Sequence, residues 1–301
     1  MTRFAIGVVG AGRVGAVLAA AFAASGHEIT AVSGRSPASQ TRIETLLPGV
    51  PVRLPNDVAA SADVLLLAVP DDVLEQTARR LTDSGAIGAG QLVVHTSGRH
   101  GADVLAPAAD AGAQVLAMHP AMTFTGTDVD VDRLPKTMFA LTGAESVRDV
   151  GESLVASLGG SPIWITEDQR VLYHAALAHG ANHLVTLVAQ AQTILRSVGI
   201  ADSSEVLRPL LSAALENALA YGDAALTGPV VRGDVATVEA HVDALDDGPE
   251  PIRDAYVSMA RATTEQAVGS GSLEPEQGRD LKRVLAEADW DSLARIAAGI
   301  R

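Results

Sequence analysis

The sequence predicts a doubly wound α/β domain over residues 1–166, followed by an all-α domain over residues 167–301. Three observations carry this expectation. Short apolar runs alternate with helix-patterned stretches as far as Ile165. The first of these runs ends in the turn Gly10-Ala11-Gly12-Arg13-Val14-Gly15. Beyond Glu167 no segment has the length and flanking residues of a strand. Strands alternating with helices imply right-handed crossovers and a mainly parallel sheet.

The elements follow in order. Residues 4–9 form a short apolar run and the first strand. Residues 14–24 are Ala- and Leu-rich and helical, stopped by Ser25-Gly26. Residues 28–32 are β-branched and strand-like, and 52–54 allow a short third strand. Residues 63–69 are apolar in every position after Asp63, as expected of a strand buried on both faces of a parallel sheet, and Pro70 ends it. Residues 91–95 and 114–118 repeat that form. The last strands are expected at 137–141 and 163–165, on either side of a helix from about 146 to 158. Helices then run over 168–198, 203–226, 235–245, 251–267 and 274–288, with a last short one to Ile300. The first of these would span ~45 Å at 1.5 Å per residue.

Composition narrows the function. The 22 Lys and Arg stand against 36 Asp and Glu, a formal net charge of −14. Nucleic-acid binders carry a basic footprint, and Lys136 and Lys282 are the only lysines, so no nucleic-acid partner is expected. Cysteine is absent, which excludes disulfides, thiolate metal sites and thiol nucleophiles. No run approaches the ~18 apolar residues of a spanning helix, so no membrane partner is expected either. The N-terminus imitates an export signal, with Arg3, an apolar stretch and then Ala-rich residues. Gly10, Gly12, Arg13 and Gly15 interrupt it and have a better explanation, so a cytoplasmic protein is expected.

The Gly-x-Gly-x-x-Gly turn follows a predicted strand and opens a predicted helix, the setting in which it binds a dinucleotide. Gly10 permits the tight turn, Gly12 lets the pyrophosphate reach the backbone, and Gly15 lets helix and strand pack closely. The N–H groups of Arg13, Val14 and Gly15 face the phosphates at the helix N-terminus. The end of the second strand selects the cofactor. An NAD-binder places a carboxylate there for the ribose hydroxyls. This chain has Ser33-Gly34-Arg35-Ser36. Arg35 can pair with a 2′-phosphate and both serines can donate to it, so NADP(H) is expected over NAD(H). Three further tips lie at the carboxyl edge of the sheet, where ligands of such folds sit. They are Val69-Pro70-Asp71, His95-Thr96-Ser97-Gly98 and Met118-His119-Pro120.

With these motifs the chain resembles the 6-phosphogluconate/β-hydroxyacid dehydrogenase-type reductases, which include ketopantoate reductase, prephenate dehydrogenase and pyrroline-5-carboxylate reductase. Within them it is most similar to a bacterial family of Rossmann-like oxidoreductases whose helical C-terminal domain has no assigned function. The specific features are His-Thr-Ser-Gly at 95–98, His119-Pro120 with Phe124, Tyr-His-Ala-Ala at 173–176 with Asn182, and Leu-Thr-Gly-Pro-x-x-Arg-Gly-Asp at 226–234. The resemblance implies a Rossmann domain followed by a 6-phosphogluconate dehydrogenase C-terminal-like domain. One departure matters. β-Hydroxyacid dehydrogenases and ketopantoate reductase place a catalytic Lys, with Asn four residues on, in the first helix of the second domain. Here there is none, and the resemblance implies that His174, with Asn182, takes its place.

Reduction of a carbonyl or imine needs a proton donor and groups that orient the substrate. His174 is the first candidate for the acid and His119 the rival. Asn182, one helical row along from His174 through Ala178, would orient substrate or cofactor. Ser97 would hold a substrate carboxylate or the nicotinamide amide, and Tyr173 reads as packing. Thr227, Arg232 and Asp234 surround a helix start that suits a substrate carboxylate. His179 and His183 form an HxxxH pair on another helix face, without the Glu of a metalloprotease motif, and no metal is expected. The expected activity is NADP(H)-dependent reduction of a small carboxylate-bearing carbonyl or imine, either a 2-oxo acid such as ketopantoate or a cyclic imino acid. The alternative is a non-catalytic NADP-binding sensor. Helices apolar on more than one face, such as 181–195, need partner surface, and a homodimer through the helical domain is expected.

Overall fold

A computed structural model describes residues 2–246 and 248–297. Seven strands form one sheet in the order β2-β1-β3-β4-β5-β6-β7. They are β1 (Ala5–Val9), β2 (Glu28–Ser33), β3 (Val64–Leu67), β4 (Leu92–His95), β5 (Gln114–Pro120), β6 (Met138–Gly143) and β7 (Ser161–Trp164). Neighbours pair in parallel, except that β5 and β6 are antiparallel. The helices of this half are α1 (Arg13–Ala24), α2 (Pro37–Leu46), α3 (Pro55–Ala60), α4 (Asp71–Asp83), α5 (Ala106–Asp110), α6 (Asp128–Arg133) and α7 (Arg148–Ser157).

The uninterrupted apolar runs become strands with a core on each face. Ile6, Val8, Val64 and Leu66 join one buried cluster, while Val9, Leu65 and Leu67 join the other. A strand covered on both sides has no polar face, so it shows no alternation. The third expected strand, at 52–54, is instead a single bridge from Val52 to Val32. Pro51 and Pro55 flank it, and proline offers no N–H to extend a ladder. The carbonyls of Pro51 and Val32 still accept from the N–H groups of Val32 and Arg53, at 2.9 and 3.0 Å.

The helix expected over 168–198 is built of three pieces: α8 (Arg170–Leu177), a π-helical turn over Ala178–Asn182, and α9 (His183–Ser197). Helix α10 (Ser203–Tyr221) stops short of the expected Leu226, because Gly222 takes a positive φ of 57°. Then come α11 (Val235–Leu245), α12 (Glu250–Gly269) and α13 (Pro275–Ala297). Helix α13 extends past the expected break at 288, and the Ile300 end lies outside the described residues. Val238, Val242, Val257, Leu281 and Leu285 form the core of these last three helices. Among the described residues no helix is long and apolar enough to cross a membrane.

The chain divides into two compact units, Met1–His183 and Leu184–Arg301. The strands end at Trp164, close to the expected boundary at 166, but the first unit continues over α8. Arg170, at the start of α8, bonds into the sheet and holds it there.

Candidate active site

The sheet changes direction of winding between β1 and β3, and the crevice at their carboxyl ends is the expected ligand site of such a fold. The three glycines of the first turn divide the labour as their spacing predicts. Gly10 has φ +101°, and a Cβ there would stand 2.5 Å from the Ala68 carbonyl oxygen. A Cβ on Gly15 would collide with the carbonyl oxygen of Gly10. A Cβ on Gly12 would meet nothing within 4 Å, so at this position the glycine leaves space open. Gly12 also caps α1 without any side-chain hydrogen bond, leaving the Arg13, Val14 and Gly15 end of the helix as backbone. Such an end favours an anion.

A cleft of about 820 Å³ runs from this turn past Ser33, Arg35, Val69 and Pro70. Arg80, from α4, lines it as well, a second cation that the sequence reading missed. Asp57, from the first turn of α3, is a carboxylate in the same cleft, although none stands at the end of β2. Ser36 does not line it. Its hydroxyl accepts from the Ser39 N–H at 3.1 Å and caps α2, and it is Ser39 that borders the cleft.

The β4 tip is locked from within. His95 is fully buried, takes the Ser97 N–H on Nδ1 at 3.1 Å, and places Nε2 2.8 Å from the Gly101 carbonyl. Burial pushes its pKa down to about 4, so the ring is neutral. The Ser97 hydroxyl accepts from the His100 N–H at 3.2 Å, and the residue is buried. Ser97 thus has a partner within its own loop, a local role that the sequence reading did not include.

A second pocket, of about 290 Å³, is lined by His119, Met122, Thr123, His174, Ala178 and Asn182, among others. The structure therefore brings both candidate acids and Asn182 to one place. The π-helical turn supplies Ala178, Ala181 and Asn182 to this wall. Such turns recur at functional sites. His119 Nδ1 lies 2.9 Å from the Tyr173 hydroxyl, and the His119 and His174 rings meet edge to face at 6.0 Å. Gly98 makes room for them: a Cβ there would stand 2.5 Å from His174 Cδ2 and 3.0 Å from His119 Nε2. Burial, followed by the charges of Arg170 and His174, pushes the His119 pKa down to about 4. Burial raises that of Tyr173.

Arg170 lies beneath this group, fully buried. Its guanidinium donates to Thr142 Oγ1 at 2.9 Å and to the carbonyls of Ala140 (2.9 Å), Ser97 (3.3 Å) and Ala117 (3.3 Å). Burial lowers its pKa to about 10, which leaves it charged. Arg170 was not singled out from sequence, and Gly98 was named only as a member of the His95-to-Gly98 tip, without this role. The available signal was spacing: Arg170 stands three and four residues before Tyr173 and His174, on one helix face.

His179 and His183 are exposed and face each other, Nδ1 to Nδ1, at 3.0 Å. Among the described residues no group of three or more His, Asp or Glu is arranged to hold a metal. In the second unit Asp234 caps α11, accepting from the Thr237 N–H at 3.1 Å and its hydroxyl at 2.7 Å. Thr227 and Arg232 are exposed beside it.

Residues 1–120 match the family model of a Rossmann-like domain, and residues 137–263 that of a domain of unknown function, DUF2520. The chain thus joins a Rossmann-like domain to a DUF2520 domain, the combination that its motifs imply. No curated protein matches it. Among solved structures it is similar to a candidate NADP oxidoreductase from Bacteroides fragilis, at 19% identity and a TM-score of 0.74, over 87% of this chain and 98% of that one. An imine reductase from Myxococcus stipitatus in complex with NADP+ matches at 19% identity and 0.63, over 87% and 94%. A pyrroline carboxylate reductase from Plasmodium falciparum with NADP bound matches at 12% and 0.57, over 89% and 98%.

Proposed function

We propose that the protein is an NADP(H)-dependent oxidoreductase that reduces a small carboxylate-bearing imine or carbonyl. The observation that carries this reading is the convergence of His119, Tyr173, His174 and Asn182 at the carboxyl edge of a sheet whose glycine turn fronts the larger cleft. The residues present fit a dinucleotide. Gly12 leaves the space that a pyrophosphate needs, and α1 presents an uncapped N-terminus to it. Arg35, with Arg80 and Ser33, would hold the 2′-phosphate. When bound, the cofactor supplies the hydride for the C=N or C=O carbon.

The chain's own groups supply the rest. His174 gives the proton to the substrate nitrogen or oxygen. His119 is neutral at neutral pH and works as a hydrogen-bonding group, not as the acid. We assign the ring the tautomer in which Tyr173 donates to Nδ1 and the ring's own proton sits on Nε2. Asn182 orients the substrate or the carboxamide. Several similar folds carry the names imine reductase and pyrroline carboxylate reductase, which favours a cyclic imino acid over a 2-oxo acid.

A screen of cyclic imines and 2-oxo acids for NADPH oxidation tests the reading. His174→Gln and Asn182→Ala should lower turnover ~10²-fold and leave NADPH affinity nearly intact. NADPH binding without turnover on either class would support the sensor instead.

The active form is a homodimer joined through its helical half. Helix α9 exposes Leu184, Val185 and Leu187, and α10 exposes Val206, Leu210, Leu215 and Leu219. Helices with so much uncovered apolar surface are completed by a partner.

A further inference from the structure

We propose that Arg170 is the positioning residue of this site: its guanidinium ties the helix that carries Tyr173 and His174 to the strand tips that carry His119 and Gly98. The four acceptors belong to three parts of the pocket's frame, the β4 loop, β5 and β6. Ser97 immediately precedes Gly98 in the β4 loop. Ala117 lies two residues before His119 on β5. Ala140 is the β6 residue in register with His119. Thr142, further along β6, passes the connection on by donating to the Ile165 carbonyl at 2.6 Å, in the segment that leads to α8. One side chain on α8 therefore ties that helix, which carries His174, to β5, which carries His119, and to the β4 loop and β6 on either side of it.

The chemistry of the group supports position over packing. Among the described residues no carboxylate forms an ion pair with Arg170, and the charge of Glu167 nearby offsets its burial only in part. Burying a guanidinium against neutral acceptors is costly, and an apolar side chain would fill the volume without that cost. What an apolar side chain lacks is a rigid planar fork with five donors. Lysine keeps the charge but presents one nitrogen, which cannot span carbonyls on three separate segments. A shift of about 1 Å in reacting groups costs ~10²-fold in rate, which is reason to hold these tips so firmly.

The test uses His119 as a reporter, read by NMR in protein carrying 13C-labelled histidine. The groups that face it are Arg170, Tyr173 and His174 from α8 and Asp71 at the start of α4. In the native protein its ring titrates at about 4, chiefly because it is buried. Arg170→Lys retains a positive charge beside the ring, so its midpoint chiefly reports how far the tips have loosened and admitted water, whereas Arg170→Gln also removes a charge that itself holds the midpoint down. We expect a rise of about one unit in Arg170→Lys and more in Arg170→Gln. NADPH affinity should stay within ~3-fold, because the cleft that holds it does not include Arg170. Only the turnover arm rests on the reductase reading: on any substrate found, Arg170→Lys should lose ~10-fold or more. A folded Arg170→Lys protein with an unmoved His119 midpoint overturns the proposal whatever the substrate. Failure of both variants to fold also overturns it, by making Arg170 a residue of folding. A failed substrate screen with a raised midpoint leaves the positioning role standing and removes only the reductase reading.

Discussion

The Tyr173 hydroxyl lies 2.9 Å from Nδ1 of His119, and the two rings meet edge to face with centroids 5.6 Å apart. One residue sits on α8 and the other at the tip of β5, so the contact closes the pocket between helix and sheet. It also sets the order of protonation. A ring that is buried near a guanidinium resists a second proton, and a buried phenol resists losing its own. The pair stays neutral across the physiological range and leaves proton donation to His174.

The same desolvation makes the fold acid-sensitive. His95 and His119 titrate at about 4 in the folded chain, against an ordinary value of 6.5. Between those values the unfolded chain binds more protons than the folded one. Stability is therefore complete above pH 6.5 and declines as pH falls toward 4, by up to about 1.4 kcal/mol per pH unit for each ring. Urea denaturation midpoints at pH 7, 6 and 5 should fall accordingly, and His119→Asn should flatten the curve. A midpoint that is level from pH 7 to 5 would contradict the buried neutral state of both rings.

The glycine turn makes a contrast that a single variant could not. Gly12→Val adds a side chain in open space, so the melting temperature should stay within a few degrees while NADPH binding falls ~10²-fold. Gly15→Val drives a side chain into the Gly10 carbonyl and the Ala68 side chain, and should lose several kcal/mol of stability. Binding titrations on the folded Gly12 variant decide the matter. Full NADPH affinity there would show that the phosphates lie elsewhere.

How much of this was legible in the sequence follows from what is local. The strands β3 and β4 announce themselves because burial on two faces leaves apolar residues in succession with no polar alternation, Val64 to Leu67 and Leu92 to Val94. The glycine turn is legible because each glycine answers a separate steric demand. His174 and Asn182 fall on one pocket because helical spacing is a local rule. Arg170 was not visible, nor was the role of Gly98 within its motif, since both rest on contacts with β5, β6 or α8, far away in sequence. Ser97 and Ser36 have a local role that the sequence did not show: the hydroxyl of each accepts a nearby backbone N–H.

Cofactor choice depends on the cations of the larger cleft. One charge-assisted contact to a 2′-phosphate is worth about 1.5–3 kcal/mol, so NADPH should bind at least ~10-fold tighter than NADH. Arg35→Asp should erase or reverse that ratio, because it places a second carboxylate in a cleft that already holds Asp57. Arg80→Ala should lower it in part. Calorimetric titration with both cofactors provides the comparison, and equal affinities in the unmodified protein would remove the selectivity argument altogether.

The dimer prediction rests on the second unit alone. Of α9 not one residue is buried, and of α10 only Ser203 and Leu207 are. Leu210 and Leu219 are 64% and 81% exposed, although both are apolar and lie in regular helix. The helices α11, α12 and α13 build their own core, so a lack of apolar residues in this half is not the cause. A stable association buries roughly 1,200–2,000 Å² or more, which two helices of this length can supply. Light scattering at micromolar concentration should give twice the mass of the 301-residue chain, with and without NADPH. Leu210→Glu together with Leu219→Glu should yield monomers that keep the Rossmann-like domain folded, as read by NADPH binding. A chain that is monomeric before any substitution would refute the dimer.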